Sequence, residues 1–99
     1  MSVEVKISLR DKIKECKASR FNVIILNDNE TTMIFVVWVL MDIFKKNTEE
    51  AINLMLQVHR QGFGIAGTYS YEVARAKREL TLQYAQEEGF PLRVEIEEC

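Results

Sequence analysis

Phe21-Asn-Val-Ile-Ile-Leu-Asn-Asp-Asn-Glu-Thr-Thr-Met33 sets the fold of this 99-residue chain. Its first six residues are aliphatic and β-branched and stop at turn-forming Asn27-Asp28-Asn29, which reads as a buried strand and its exit loop. From Met33 onward the apolar positions Val36, Val37, Leu40, Ile43 and Phe44 recur at helical spacing, and Lys45-Lys46 suit the negative end of a helix dipole. Asn47-Thr48 caps a second helix with Glu49 and Glu50 in its first turn and Ile52, Met55, Leu56 and His59 as its apolar stripe; Gly62 ends it. Gly64 to Tyr69 reads as a second strand, and Ser70 caps a long helix with Val73, Ala76, Leu80 and Tyr84 on one face. Gly89 and Pro91 close that helix, and Leu92-Arg-Val-Glu-Ile-Glu97 alternates strictly, with Leu92, Val94 and Ile96 inward.

The order is β-α-α-β-α-β. Three short strands cannot make a doubly wound parallel sheet, so the expectation is a two-layer α+β domain with a three-stranded antiparallel sheet and helices on one face. A chain of this length, 47% hydrophobic and with four Gly and one Pro, holds one core. Residues 1–20 lack a core pattern and read as a flexible N-terminal arm before a domain over 21–99. That arm holds six basic groups (Lys6, Arg10, Lys12, Lys14, Lys17, Arg20) against three acidic ones, although the whole chain is −2. The acidic body disfavours a nucleic-acid surface.

The longest apolar run, Ile34 to Met41, is too short for a membrane span, and the N-terminus lacks the apolar core of a secretory signal. Cys16 and Cys99 lie near opposite ends without metal-ligand spacing, which suggests free thiols in a reducing, cytoplasmic setting and no structural zinc. One His, with no nucleophile elbow, phosphate loop or zinc-protease motif, argues against an enzyme, and no cofactor is implied.

One segment is denser than folding needs. Capping explains one or two of the polar residues in Asn27-Asp28-Asn29-Glu30-Thr31-Thr32, and six in a row raise a ligand site. Asp28 and Glu30 with the neighbouring amides suit an ammonium better than a phosphate. His59 fits either a hydrogen-bonded structural histidine or a ligand group. Met33, Val36, Met55 and Val58 fit either core or pocket wall, and thioethers adapt to varied apolar guests. Trp38 lies off the apolar stripe of the first helix, where an exposed indole can mark a partner site.

Val23-Ile-Ile-Leu-Asn-Asp28, Thr31, Met33-Ile-Phe-Val36, Leu54-Met-Leu-Gln-Val-His59, Gln61-Gly62, Tyr71-Glu-Val-Ala74, Lys77 and Pro91-Leu92 together resemble the ClpS family, adaptors of an AAA+ protease that recognise N-degrons. The resemblance runs from about Phe21 to Glu97. It implies that Asn27, Asp28, Asn29 and His59 hold the free α-amine of a substrate's first residue, a Leu, Phe, Tyr or Trp. It further implies a pocket walled by Ile25, Thr31, Met33, Val36, Met55, Val58 and Leu92, with Met33 as a gate against β-branched first residues. Glu72 and Lys77 would dock on the N-terminal domain of a ClpA-type unfoldase, the arm would serve delivery, and a monomer is expected.

The family commonly has Asp where this chain has Asn29, and Pro where it has Thr32. Losing a carboxylate beside an ammonium weakens binding by about 1 kcal/mol at a partly solvated site. The contrasting reading is an unfoldase-binding modulator of substrate choice that does not grip N-degrons.

Overall fold

The computed structural model describes residues 20–99. Strand β1 (Phe21–Leu26) is central, pairing antiparallel with β2 (Phe63–Tyr69) on one side and β3 (Arg93–Glu98) on the other. Being central explains its nearly continuous apolar sequence: Val23 and Ile25 are fully buried on the helix side, and Ile24 and Leu26 are half-buried on the other. Helices α1 (Met33–Asp42), α2 (Thr48–Gln61) and α3 (Tyr71–Glu88) complete the expected α+β order.

The termini follow the expected chemistry. Thr32 Oγ1 accepts from Phe35 N, Asn47 and Glu50 cap each other reciprocally, and Ser70 Oγ accepts from Val73 N. Gly62 (φ 96°) and Gly89 (φ 77°) end α2 and α3 in the left-handed region, where a Cβ would be strained. Helix α1 departs from expectation at its C-terminus. It ends at Asp42, with Lys45 beyond it at φ 58°, and no basic residue lies in its last turn. The cation at that end comes from another helix: Lys77 Nζ of α3 donates to Ile43 O at 2.7 Å.

Two helices are rotated relative to the apolar stripes expected of them. In α3 the buried residues are Ala74, Thr81 and Ala85, while Val73 and Leu80 are exposed. In α2 they are Ala51 and Val58, with Leu54 and Met55 partly buried and Ile52 and His59 outward. The physical reason is distance. Helices packed directly on a sheet or on each other favour small side chains at the closest approach, and Thr81 satisfies its hydroxyl by donating to Lys77 O at 2.8 Å. Gly64 shows the same crowding from the sheet side, since a Cβ there would lie 2.8 Å from Val58 Cγ2 and 2.9 Å from Leu54 Cδ1.

A second correction concerns the cysteines. Cys99 is disulfide-bonded, not a free thiol. The strand register gives the context: β3 runs antiparallel to β1, Phe21 pairs with Glu98, and Cys99 N donates to Arg20 O at 3.1 Å. The C-terminus therefore lies beside the point where residues 1–19 join the domain, a proximity that linear separation conceals. Those residues, and with them the arm expected over 1–20 apart from Arg20, lie outside the described residues. No helix among the described residues is long and apolar enough to cross a membrane.

Candidate functional site

At the end of β1 the chain leaves the sheet and must turn back into α1. Asp28 organises that turn. Its Oδ1 accepts from Glu30 N (2.8 Å) and Thr31 N (2.7 Å), and its Oδ2 accepts from Thr31 Oγ1 (2.6 Å). Asn27 N donates to Gly62 O at 2.9 Å, fastening the loop to the C-terminal cap of α2. This clasp brings the loop to the last turn of α2, where His59 projects.

Between them lies a cavity of about 380 Å³. Its polar side is Asn27, Asp28, Asn29 and His59 with Thr31, Glu30 and Thr32; its apolar side is Met33, Val36, Met55 and Val58. Nine of the residues expected at the site thus meet around one cavity. Ile25 and Leu92 do not line it: Ile25 is fully buried beneath the sheet–helix layer, and Leu92 is buried beside a shallow depression near Arg78 and Leu82. Glu30, read in the sequence with Asp28 as negative charge suited to an ammonium, lines the cavity as well, and so does Thr32, for which membership of the polar run Asn27–Thr32 is the only sequence signal.

The two kinds of residue differ in what they have left to offer. Among the described residues, the side chains of Asn27, Asn29 and His59 make no hydrogen bond or ion pair, and all three are exposed. Asp28 is already engaged within the loop, so its charge reaches the cavity through a carboxylate that holds the turn. Val36 and Val58 are nearly inaccessible and form the floor, whereas Met33 is 43% exposed at the rim. The arrangement can take a donor-rich cation at one end and an apolar group at the other. Size alone would favour a depression of about 680 Å³ between Phe21, Tyr71 and Arg75, but that one mixes charges of both signs around an open face.

Burial by itself would raise the Asp28 carboxyl, yet the hydrogen bonds from the Thr31 hydroxyl and the Thr31 and Glu30 amides outweigh it and hold the group below its usual value. A folded-state pKa below the unfolded one means that the carboxylate's contribution is complete above about pH 4 and is lost as pH falls through the lowered value. The Glu30 and Thr31 amides are therefore expected to keep their hydrogen-exchange protection down to about pH 4 and lose it below. In Asp28→Asn that protection should be weaker and no longer depend on acid; amide exchange followed by NMR across pH 2–6 checks both.

Fold and cavity together define a small α+β domain with a cavity, polar on one side and apolar on the other, at the end of its central strand. Comparison with known proteins places it further. Residues 16–95 match the family model described as ATP-dependent Clp protease adaptor protein ClpS, and the chain belongs to that family. It is 46% identical over 96 residues to the ATP-dependent Clp protease adapter protein ClpS of Wolinella succinogenes, covering 97% of this chain and 94% of that one. A ClpS of Lawsonia intracellularis is likewise 46% identical, over 94% of this chain and 84% of its own. Among solved structures, Agrobacterium tumefaciens ClpS2 bound to L-phenylalaninamide superposes with a TM-score of 0.78 at 27% identity, covering 82% of this chain and 98% of that one. The protein is an adaptor of the Clp protease system.

Proposed function

We propose that this adaptor grips proteins through a free N-terminal Leu, Phe, Tyr or Trp and delivers them, in the cytoplasm, to the N-terminal domain of a ClpA-type AAA+ unfoldase, performing no chemistry itself. The observation that carries this reading is the junction of uncommitted polar side chains (Asn27, Asn29, His59) with an apolar floor (Val36, Met55, Val58) in one cavity. The ligand named for the Agrobacterium relative, L-phenylalaninamide, has the two features such a cavity selects: a free α-amine and an apolar side chain.

Asn27, Asn29 and His59 accept from or orient the ammonium, directly or through water, under the negative field of Asp28 and Glu30. Thr31 borders the opening, and Met33 at the rim closes over the first side chain. Ammonium recognition rejects internal residues and blocked N-termini; side-chain burial rejects Ala and Gly, because fully burying a Leu or Phe side chain contributes roughly 1.5 to 3 kcal/mol. Docking would use the start of α3, where Glu72 is exposed beside exposed Tyr71 and Val73. Holding substrate and unfoldase together raises the substrate's local concentration at the unfoldase.

Titration of a labelled peptide beginning with Phe or Leu, against the same peptide N-acetylated, tests the reading. Saturable binding of the free peptide alone is expected. Equal binding of both, or of neither, overturns amine recognition and leaves the modulator reading, which a pull-down with the unfoldase domain in the absence of peptide then addresses.

A further inference from the structure

Helix α1 carries apolar residues on the face it turns away from the core as well as on the face it buries. Phe35, Val36, Val39 and Leu40 are buried, yet Ile34 is 79% exposed and Trp38 40%. A helix that is apolar all round is normally covered on both sides.

Ile34 and Trp38 open onto a groove of about 620 Å³ between α1 and the end of α3. Its floor is aromatic: Trp38 meets Tyr84 edge-on with centroids 5.0 Å apart, and Phe35 meets Phe90 edge-on at 5.1 Å. Glu87 and Glu88 line its rim, no basic residue lines it, and neither carboxylate has a hydrogen bond or ion pair among the described residues. The groove suits an occupant in which bulky apolar side chains alternate with cations.

This groove adjoins the cavity at the end of β1. Thr32, the N-cap of α1, lines both; the next residue, Met33, stands at the cavity, and the one after it, Ile34, at the groove. The two depressions therefore flank the first turn of α1, where the Met33 and Ile34 amides have no acceptor among the described residues. A helix with its side chains is about 10 to 12 Å across, a width that about three extended residues span.

We propose that the groove holds the substrate chain downstream of its first residue: roughly the fourth to sixth residues of the protein whose N-terminus sits in the cavity, selected for a bulky apolar side chain flanked by Lys or Arg. The inference rests on the amine reading of the cavity and extends it from one residue to a segment. A chain leaving the cavity over Thr32 passes the two open amides, whose N–H groups can donate to its carbonyls. It then lays an apolar side chain between Ile34 and Trp38 and sets its cations against Glu87 and Glu88. A second copy of this chain is a poorer occupant, because a two-fold contact there would bring Glu87 and Glu88 near their equivalents with no basic residue of the groove to offset them.

Trp38 is the only tryptophan of the chain, so its fluorescence reports the groove directly. Four peptides, all amidated at the C-terminus, test the proposal on the full chain: Phe-Gly-Gly-Lys-Leu-Lys and Phe-Gly-Gly-Ser-Gly-Ser, each with a free and with an acetylated N-terminus. The free Lys-Leu-Lys peptide should bind about tenfold more tightly than the free Ser-Gly-Ser peptide, the scale of two exposed ion pairs and one half-buried leucine. It alone should move Trp38 emission to the blue and lower its quenching by acrylamide. Glu87→Gln with Glu88→Gln, and separately Ile34→Ser, should each remove about threefold of that advantage and leave the affinity for the free Ser-Gly-Ser peptide unchanged. All three side chains are exposed, so these variants should fold as the wild type does. A retained preference for the free amine, with equal affinity for the two tails and an unmoved Trp38, overturns the extension and leaves amine recognition standing. Equal binding of free and acetylated peptides overturns the amine reading and the extension with it; if the acetylated Lys-Leu-Lys peptide still protects Trp38, the groove is a separate site for internal basic and apolar segments. Protection of Trp38 that grows with protein concentration in the absence of peptide, with a dimer in sedimentation, overturns the proposal in favour of self-association.

Discussion

Replacing Asn27 and His59 together with alanine is expected to weaken binding of a peptide with a free N-terminal Phe by about a hundredfold, and to leave the weak binding of its acetylated twin unchanged. Hydrogen bonds to a charged group contribute roughly 1.5 to 3 kcal/mol each, and at exposed positions the lower figure applies. Two such bonds amount to about 3 kcal/mol, or two powers of ten in affinity. Each single substitution should cost about tenfold, from the loss of one such bond. The thermal midpoint should hardly move, since neither side chain has a hydrogen-bond partner among the described residues to lose. Asn29→Asp in the same loop should act the other way and tighten binding by about fivefold, the equivalent of about 1 kcal/mol. Calorimetric titration of both peptides against the variants checks all of this. An effect within twofold on the free peptide, or an equal loss on the acetylated one, would show that the two side chains do not hold the amine.

The strand, loop and helix order was legible because each boundary carries its own chemistry: Thr32, Asn47 and Ser70 as caps, Gly62 and Gly89 as left-handed stops, Leu92 to Glu97 as an alternating edge. The helix faces were less so. Counting periodic apolar residues favours Val73 and Leu80 in α3, whereas the packed interface favours Ala74, Thr81 and Ala85, because close approach selects small volume over hydrophobicity. The rotated stripe leaves Tyr71 and Val73 exposed beside Glu72, on the face proposed for docking. The polar half of the cavity could be read directly from the run Asn27–Thr32, since six polar residues exceed what one cap uses. Its apolar half could not be separated from the core by periodicity. The cavity is the uncovered end of the same apolar layer, so Val36 and Val58 line it while Ile25 lies buried beyond its wall. The proximity of Cys99 to Arg20 depends on strand register, which no local pattern encodes.

Lys77→Met is expected to destabilise the domain by about 2 to 4 kcal/mol, and this bears on how unfoldase docking should be probed. Its ammonium donates to Ile43 O at 2.7 Å, at the end of α1, where helix carbonyls lack intrahelical partners and no basic residue of α1 itself is present. It also lies 5.8 Å from the Phe44 ring centre and 5.3 Å from that of Tyr69. A charge-assisted bond of roughly 1.5 to 3 kcal/mol and cation–π contacts of roughly 0.5 to 1 kcal/mol give that total. For a domain of this size the thermal midpoint should fall by roughly 10 to 25 °C, measured by calorimetry or circular dichroism. A shift of only a degree or two would mean that the ammonium is held by solvent and not by the helix end. Because Lys77 ties α3 to the end of α1, loss of unfoldase binding in its variants would mix contact with stability. Glu72 separates the two: its exposed side chain has no hydrogen bond or ion pair among the described residues, and as the acidic residue in the first turn of α3 it contributes only about 0.3 to 1 kcal/mol through the helix dipole, so Glu72→Gln should weaken docking with a midpoint lowered by a few degrees at most, and Glu72→Lys should abolish docking at a midpoint well above that of Lys77→Met, if the start of α3 is the docking face. Binding that survives Glu72→Lys but fails in Lys77→Met would trace the Lys77 effect to the fold.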